Sequence, residues 1–229
     1  MNDAPHPTIH AIHARLAEVY GEPVLEPHAE PVCELVNTIL SQNTNDNNRD
    51  LAFAQLRERF PTWEAVRDAP PADVVDAIRP AGLAPSKGPR IQDALRTITE
   101  AQGAISLEFL REMPLDEARD WLEGIKGVGP KTAAIVLLFA LGRPAFPVDT
   151  HVHRVSRRLG LIPESASRVK AHTLLEDLVP ETLYYPFHLN LIRHGRETCK
   201  ARNPRCATCV LQSLCQYYQK EGHNDCQVS

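Results

Sequence analysis

The most constraining feature of this sequence is a group of four cysteines near its C-terminal end. They follow the pattern Cys199-x6-Cys206-x2-Cys209-x5-Cys215, which places four thiols within 17 positions. Cysteines crowded in this way favour a metal site over disulfides inside a reducing compartment. Whatever fold the chain adopts must therefore bring these four sulfur atoms around one centre.

The spacing of these cysteines indicates which kind of metal centre they hold. Four thiolates suit either a zinc ion or an iron–sulfur cluster. Structural zinc usually takes two close pairs of ligands, and here only Cys206 and Cys209 form such a pair. The wider, unequal intervals to Cys199 and Cys215 favour a larger [4Fe–4S] cluster, with zinc as the alternative.

A second constraint is a glycine-rich turn that leads into an apolar helix, within residues 125–149. Gly127 and Gly129 form a Gly-x-Gly turn, and the helix that follows carries a single cation, Lys131. Such a lysine is usually only solvated, yet the helix dipole at this end disfavours its charge, which helps an amine to act as a nucleophile. Asp149 stands at the expected N-cap of the next helix. A lysine and a carboxylate at the starts of consecutive helices predict a paired chemical centre.

The rest of the chain reads as helical. Gly and Pro punctuate it, and apolar residues recur at helical spacing, as at Val32, Leu35 and Val36. Strand-like alternation is nearly absent, so we predict an all-α protein. Pro130 suits the first position of a helix, and Gly142 suits its left-handed end. Helices are expected at about 9–20, 32–40, 49–60, 63–68, 74–79, 87–101, 115–123, 130–141, 150–159, 166–178 and 182–196.

Three smaller expectations concern the ends of the chain and one further cysteine. Residues 1–8 and the polar segment from Gln216 onward are expected to be loose tails. Cys33 lies near the apolar face of its helix, which predicts a buried and inert thiol.

The distribution of charge points to a polyanionic partner. The 229-residue chain has a net charge of −4, but residues 119–205 carry 14 Lys and Arg against 8 Asp and Glu, a net of +6, so the remainder carries 11 against 21, a net of −10. One basic region of this kind favours nucleic acid, although solvated basic helices are the alternative. No apolar run approaches the roughly 20 residues of a membrane helix, and the start of the chain lacks the features of a signal peptide. We therefore expect a cytoplasmic protein that does not bind membranes.

Two turns are candidates for contact with DNA bases. The polar run from Ser41 to Asn48 could cap the next helix, or its amides could enter the space vacated by a base, since amides both donate and accept. Leu83 lies in a second turn, within residues 80–87. A leucine in a loop usually packs into the core, but apolar side chains also act as wedges between stacked bases.

Three motifs together give the chain a family resemblance. They are IKGVGPKTA at residues 125–133, PVDTHVHR at residues 147–154 with its aspartate 18 positions after the lysine, and the cysteine segment at residues 194–215. On these motifs the chain resembles the endonuclease III group of the helix-hairpin-helix DNA glycosylases, over about residues 9–218. Each glycine motif alone would be weak, whereas the combination is specific.

The resemblance implies two all-α domains with DNA lying across the cleft between them. Residues 24–143 would form a six-helix bundle that contains the hairpin at about residues 118–139. Residues 1–23 and 144–229 would form the iron–sulfur cluster domain. The damaged base would be flipped out of the duplex into the cleft.

The resemblance also implies an activity and its residues. The expected enzyme removes oxidised pyrimidines in base excision repair and cleaves the abasic site by β-elimination. Lys131 would form a Schiff base, Asp149 would assist it, and the four cysteines would ligate a [4Fe–4S] cluster. The partner would be double-stranded DNA with damaged bases or abasic sites, bound by a monomer. The residues expected to contact this DNA are Gln42, Asn43, Leu83, Lys126, Gly127, Gly129, His151, Lys200, Arg202 and Arg205.

The sequence departs from the family pattern at both turns. The family commonly has Ser-Ala-Gln-Ala-Thr-Asp where this chain has SQNTND at residues 41–46. By register Asn43 takes the place of the gap-filling glutamine, with Gln42 beside it, and the sequence leaves open which of them enters DNA. After Leu83 the chain reads Ala-Pro where the family often has Tyr-Asn, which puts contacts to the opposite strand in question.

Two alternative functions remain at this point. The first is an adenine-specific mismatch glycosylase, a relative that usually lacks the hairpin lysine and carries an additional C-terminal domain. The second is a non-catalytic helix-hairpin-helix protein that only binds DNA.

Overall fold

The computed structural model of the protein describes residues 7–25 and 30–221. Within them every regular element is helical and none is a strand, which confirms the all-α prediction. The α-helices are α1 (Pro7–Tyr20), α2 (Pro31–Ser41), α3 (Asp46–Arg59), α4 (Trp63–Asp68), α5 (Pro71–Ala77), α6 (Ala84–Gln102), α7 (Leu115–Gly124), α8 (Pro130–Ile135), α9 (Thr150–Leu159), α10 (Arg168–Leu178), α11 (Tyr184–Glu197) and α12 (Gln216–Glu221). Short 3₁₀ turns lie at Arg79–Ala81, Glu108–Arg111, Glu181–Leu183, Cys206–Thr208 and Gln212–Leu214.

The chain divides into two compact units. One consists of Pro27–Arg143, and the other joins Met1–Glu26 to Pro144–Ser229. None of the helices in the described part of the chain is long and apolar enough to cross a membrane.

The unit Pro27–Arg143 is organised around α2. Val32, Leu35, Val36, Ile39 and Leu40 of this helix are fully buried, because spacings of three and four residues place them on one face. The helix contacts α3, α6, α8 and the segment that follows α8. Burial of a large apolar side chain contributes about 1.5–3 kcal/mol, so this face contributes several kcal/mol to the stability of the unit.

The start of α2 is fixed by a carboxylate. Glu30 accepts hydrogen bonds from the backbone N–H groups of Val32 at 3.2 Å and Cys33 at 3.3 Å, and from the indole N–H of Trp63 at 2.9 Å. The Cys33 thiol donates to the same carboxylate at 3.1 Å and is half-buried, not buried as expected from the sequence. Burial, this hydrogen bond and the negative charge of Glu30 raise the pKa of the Cys33 thiol to about 12.

The apolar helix after the glycine turn has an irregular second half. It begins at Pro130 as predicted, but from Val136 to Ala140 it continues as a π turn, and the Leu141 N–H bonds the Val136 carbonyl at 3.2 Å. Gly142 then takes a positive φ of 64°, which confirms the left-handed end. Arg111 donates to the carbonyls of Ala140 at 3.1 Å and Leu141 at 3.0 Å. Arg111 thus supplies donors to the carbonyl groups at the end of the helix. Because this arginine lies about 30 residues earlier in the chain, the local sequence did not reveal the π turn.

In the second unit α11 is the central helix. It contacts α1 and α9, and α9 in turn contacts α10 and α12. Ile12, Leu16, Phe187 and Leu191 are fully buried in this unit. The N-terminal helix is thereby joined to the C-terminal third of the chain.

The expectation of a loose segment from Gln216 is wrong for its first residues. Gln216–Glu221 forms α12, which packs on α9, and the ring of Tyr217 lies 4.8 Å from the guanidinium carbon of Arg158. This helix is too short to be stable by itself, so packing on α9 accounts for it. At the other end α1 already begins at Pro7, and the remainder of both expected tails lies outside the described residues.

Candidate functional site

The glycine turn between α7 and α8 is anchored by two apolar residues. Ile125 and Val128 are buried, and the Val128 N–H closes the turn on the Ile125 carbonyl at 2.9 Å. Lys126 and Gly127 between them are exposed. Gly127 has a φ of 90°, and a Cβ there would lie 2.9 Å from Cδ of Arg90, so only glycine fits this position.

Lys131 is held at the start of α8. It is the second residue of this helix, after Pro130, and its side chain is half-buried. Thr132, Ala133 and Ala134, which follow it, are buried. The backbone that carries Lys131 is therefore held by the packing of the residues that follow it, while its side chain is partly exposed.

Asp149 is the N-cap of α9, as predicted. Its Oδ1 accepts a hydrogen bond from the Val152 N–H at 2.7 Å. The segment before it is fixed by two buried histidines that sequence reasoning missed. His172 Nδ1 donates to the Phe146 carbonyl at 2.9 Å, and His188 Nδ1 donates to the Pro147 carbonyl at 2.8 Å. The sequence could not predict this role for either histidine, because each one contacts a carbonyl that lies 26 or 41 residues earlier in the chain.

Arg154 connects the helix of Asp149 to the cysteine segment, and sequence reasoning also missed it. Its Nε donates to the Cys199 carbonyl at 3.0 Å, and its Nη2 donates to the Gly195 carbonyl at 2.8 Å. The same Nη2 lies 3.1 Å from Nδ1 of His151. One guanidinium therefore fixes α9, α11 and the first cysteine relative to each other.

The four cysteines line one cavity of about 400 Å³, which includes space open to solvent. All four are half-buried and none is in a disulfide. Within residues 7–25 and 30–221, no three His, Cys, Asp or Glu side chains are close enough together to hold a single metal ion. Four thiols that line one cavity fit the polynuclear cluster that their sequence spacing favours.

The thiols of the cysteine segment are partly buried, and the side chains of Arg158 and His194 contact two of them. Burial raises the pKa of Cys209 to about 11 and also raises that of Cys215. Arg158 donates to Sγ of Cys199 at 3.3 Å, and Nε2 of His194 lies 3.6 Å from Sγ of Cys209. Burial lowers the pKa of His194 to about 4, so its ring is neutral near pH 7.

Two cations of the cysteine segment, Lys200 and Arg202, are not among the residues that line this cavity, whereas Arg205 is one of them. Lys200, Arg202 and Arg205 are exposed, as a role in binding phosphate requires.

The two candidate turns both lie in the unit Pro27–Arg143. Asn43 is exposed with a φ of 53°, and Leu83 is 57% exposed with a φ of 52°. Gln42 is engaged within the protein, since its Nε2 donates to the Gly127 carbonyl at 3.4 Å and its Oε1 accepts from Arg90 at 3.4 Å. The exposed residue of the pair is therefore Asn43.

Two family models match the chain. A model of the HhH-GPD superfamily of base excision DNA repair proteins matches residues 36–181, and one of the iron–sulfur binding domain of endonuclease III matches residues 199–215. The chain belongs to the HhH-GPD superfamily. The resemblance seen in the three sequence motifs is thereby confirmed.

Relatives and solved structures agree with this membership. Endonuclease III of Thermotoga maritima is 35% identical to this HhH-GPD chain over 199 residues, which cover 86% of this chain and 87% of the relative. An Arabidopsis thaliana protein named as a candidate DNA glycosylase is 37% identical over 191 residues, and the chain spans only 65% of its length. A non-covalent complex of endonuclease III with DNA is 30% identical with a TM-score of 0.78, covering 93% of this chain and 96% of that chain.

This HhH-GPD protein is therefore an enzyme of the endonuclease III type, a class of DNA glycosylases and abasic-site lyases, and DNA is its partner. It carries a [4Fe–4S] cluster, and the cavity lined by the four cysteines fits that group. The fold brings these cysteines together and joins Gln42 to the glycine turn. Lys131 and Asp149 belong to different units of the chain, and their pairing stays a prediction.

Proposed function

We propose that the enzyme removes oxidised pyrimidines from duplex DNA and cleaves the abasic site by β-elimination through Lys131. The observation that carries this proposal is the position of a half-buried lysine at the second residue of the helix behind the glycine turn. A structure titled as a trapped covalent intermediate of endonuclease III with DNA is 30% identical to this chain with a TM-score of 0.78. A covalent intermediate requires a nucleophile, and an amine suits attack on a sugar carbon.

In this mechanism the neutral amine of Lys131 attacks C1′ of the damaged nucleotide. The bond from C1′ to the base breaks, and the base leaves with the electron pair and takes up a proton. Nitrogen then loses a proton and its lone pair forms a double bond to C1′ as the C1′–O4′ bond breaks, O4′ takes up a proton, and the product is a protonated Schiff base. This acidifies C2′, so removal of a C2′ proton forms a carbon–carbon double bond and expels the 3′ phosphate. Water then hydrolyses the imine and restores Lys131.

Asp149 assists this reaction as a carboxylate. It accepts the proton that the amine loses, or stabilises positive charge on the sugar as the base departs. Its hydrogen bond to the Val152 N–H keeps one oxygen fixed at 2.7 Å and leaves the other oxygen for the substrate.

Phosphate contacts come from backbone and from exposed cations. Gly127 and Gly129 carry no side chains that would keep a phosphate away from their N–H groups, and Lys126 lies beside them in the sequence. His151 lies in the first turn of α9, two residues after Asp149, and Lys200, Arg202 and Arg205 lie between Cys199 and Cys206. When bound by the four cysteines, a [4Fe–4S] cluster supplies the centre around which this segment is shaped. These contacts are largely independent of sequence and weaken with salt.

The two turns act on the base stack. We assign the gap-filling role to Asn43, because it is exposed, while Gln42 is bonded to the glycine turn and to Arg90. Leu83 is the apolar wedge, since more than half of its side chain is exposed. The enzyme acts as a monomer in this proposal.

Borohydride trapping tests the role of Lys131. The enzyme should form a covalent product with duplexes that contain thymine glycol or an abasic site and should nick both. Lys131→Ala should neither trap nor nick, whereas Lys170→Ala, which removes an exposed lysine on α10, should do both. Trapping by Lys131→Ala would overturn the Schiff-base assignment. Release of adenine opposite 8-oxoguanine without action on thymine glycol would overturn the proposed substrate.

A further inference from the structure

One lysine is buried inside the unit Pro27–Arg143, outside the site described above. Lys87, in the first turns of α6, is only 1% exposed. Its Nζ donates to the Leu40 carbonyl at 2.7 Å and to the Ala81 carbonyl at 2.8 Å. A buried ammonium is costly unless its hydrogens are used, and burial lowers the pKa of Lys87.

The two carbonyls that Lys87 bonds belong to the two turns assigned to DNA. Leu40 lies in the last turn of α2, directly before Ser41, Gln42 and Asn43. Carbonyls in the last turn of a helix lack a partner within the helix, and the ammonium supplies one. Ala81 ends the 3₁₀ turn directly before Gly82 and Leu83. One side chain therefore holds the backbone at the base of both turns, which are about 40 residues apart in sequence.

The tips of the two turns need such support. Asn43 and Leu83 both have positive φ, of 53° and 52°, a conformation that a leucine adopts only when the surrounding structure enforces it. Leu83 is mostly exposed, so packing of its side chain does not enforce it. The backbone N–H of Lys87 also bonds the Leu83 carbonyl, at 3.0 Å. Both the backbone and the side chain of one residue thus restrain this turn.

Filling space in the core would not by itself call for a lysine. A methionine of similar length would fill the same space without the cost of burying a charge. What only a lysine supplies here is a set of donors that reach two separate backbone segments at once.

We propose that Lys87 is a positioning residue that fixes the two turns relative to each other, so that Asn43 and Leu83 enter the duplex together as the damaged base is extruded. This inference rests on the proposed function of the two turns. It assigns Lys87 no contact with DNA and no part in the chemistry at Lys131.

The test compares two substrates that differ in whether a base pair must be opened. Lys87→Met should lower the single-turnover rate of excision from a thymine glycol duplex by about 100-fold, the scale for a misplaced catalytic geometry. Cleavage of a single-stranded abasic oligonucleotide, which needs no wedge, should keep its rate. The fluorescence rise of 2-aminopurine placed opposite the lesion, which reports unstacking, should shrink. Arg96→Met is the matched control, since Arg96 lies on the same helix and also bonds a carbonyl, that of Arg67, away from both turns.

A double-mutant cycle with Leu83→Ala separates positioning from general destabilisation. If Lys87 acts through the turns, its penalty on duplex excision should be smaller in the Leu83→Ala background. Additive penalties, equal losses on both substrates, or duplex excision equal to that of Arg96→Met would each overturn the proposal. If Lys87→Met does not fold, Lys87→Arg keeps a cation with N–H donors and enters the same cycle.

These outcomes are distinct from failure of the proposed function. If Lys131 were not the nucleophile, Lys131→Ala would still cleave the single-stranded abasic oligonucleotide, whatever the result for Lys87.

Discussion

Asp149 has two roles that a pair of substitutions can separate. As the N-cap of α9 it accepts a hydrogen bond from the Val152 N–H at 2.7 Å. As the proposed catalytic carboxylate it contributes its negative charge. Asp149→Asn keeps an oxygen acceptor and removes the charge, whereas Asp149→Ala removes both.

The expected magnitudes follow from this geometry. Asn and Asp are about equal as N-caps, while replacement by Ala costs about 1 kcal/mol. For a protein of this size that corresponds to a fall in Tm of about 2–4 °C. Loss of a general acid or base costs about 100- to 10,000-fold in rate. Asp149→Asn should therefore melt with the wild type but excise slowly, and Asp149→Ala should show both defects.

Three measurements on each variant check this prediction. They are thermal melting by circular dichroism, single-turnover excision of thymine glycol, and duplex affinity by fluorescence anisotropy. Affinity should change little in Asp149→Asn, because the contacts to phosphate remain. Ser167→Ala is the matched control, since Ser167 caps α10 by accepting from the Lys170 N–H at 3.2 Å. It should lose about as much stability as Asp149→Ala, close to 1 kcal/mol, and keep its rate of excision. Full turnover by Asp149→Asn would refute the catalytic role and leave Asp149 as a cap alone.

Two further predictions concern the cysteines. The wild-type protein should be brown with about four irons per chain, and Cys206→Ser should lose iron while Cys33→Ser retains it; stoichiometric zinc in the wild type would contradict the cluster. Because the pKa of Cys33 is raised to about 12, little of it is thiolate at pH 8, so iodoacetamide should alkylate it about 1,000-fold more slowly than an ordinary thiol. Glu30→Gln removes one cause of the raised pKa of Cys33 and should speed its alkylation, which mass spectrometry of the peptide that contains Cys33 would follow. An equally fast rate in both proteins would show that the pKa of Cys33 is not raised.

The sequence by itself determined the local features of this protein. Helix positions follow from apolar spacing and from caps, and Pro130, Gly142 and Asp149 occupy the structural positions predicted for them. These signals are local, since a cap or a helix end depends on residues within one turn. The cysteine spacing and the glycine motif could also be interpreted from the sequence. A cluster needs cysteine ligands, and a close approach of the backbone needs glycine.

Only the tertiary structure decided how these pieces are held. The ammonium of Lys87 reaches a carbonyl 47 residues away, and Arg154 reaches one 45 residues away. A sequence shows that a lysine is present but not that its hydrogens are used inside a unit. The helix α12 and the π turn after α8 also depend on distant partners, α9 for one and Arg111 for the other. The proposed chemistry could be predicted from residue types at fixed spacing. The contacts that hold those residues in place form only when the chain has folded.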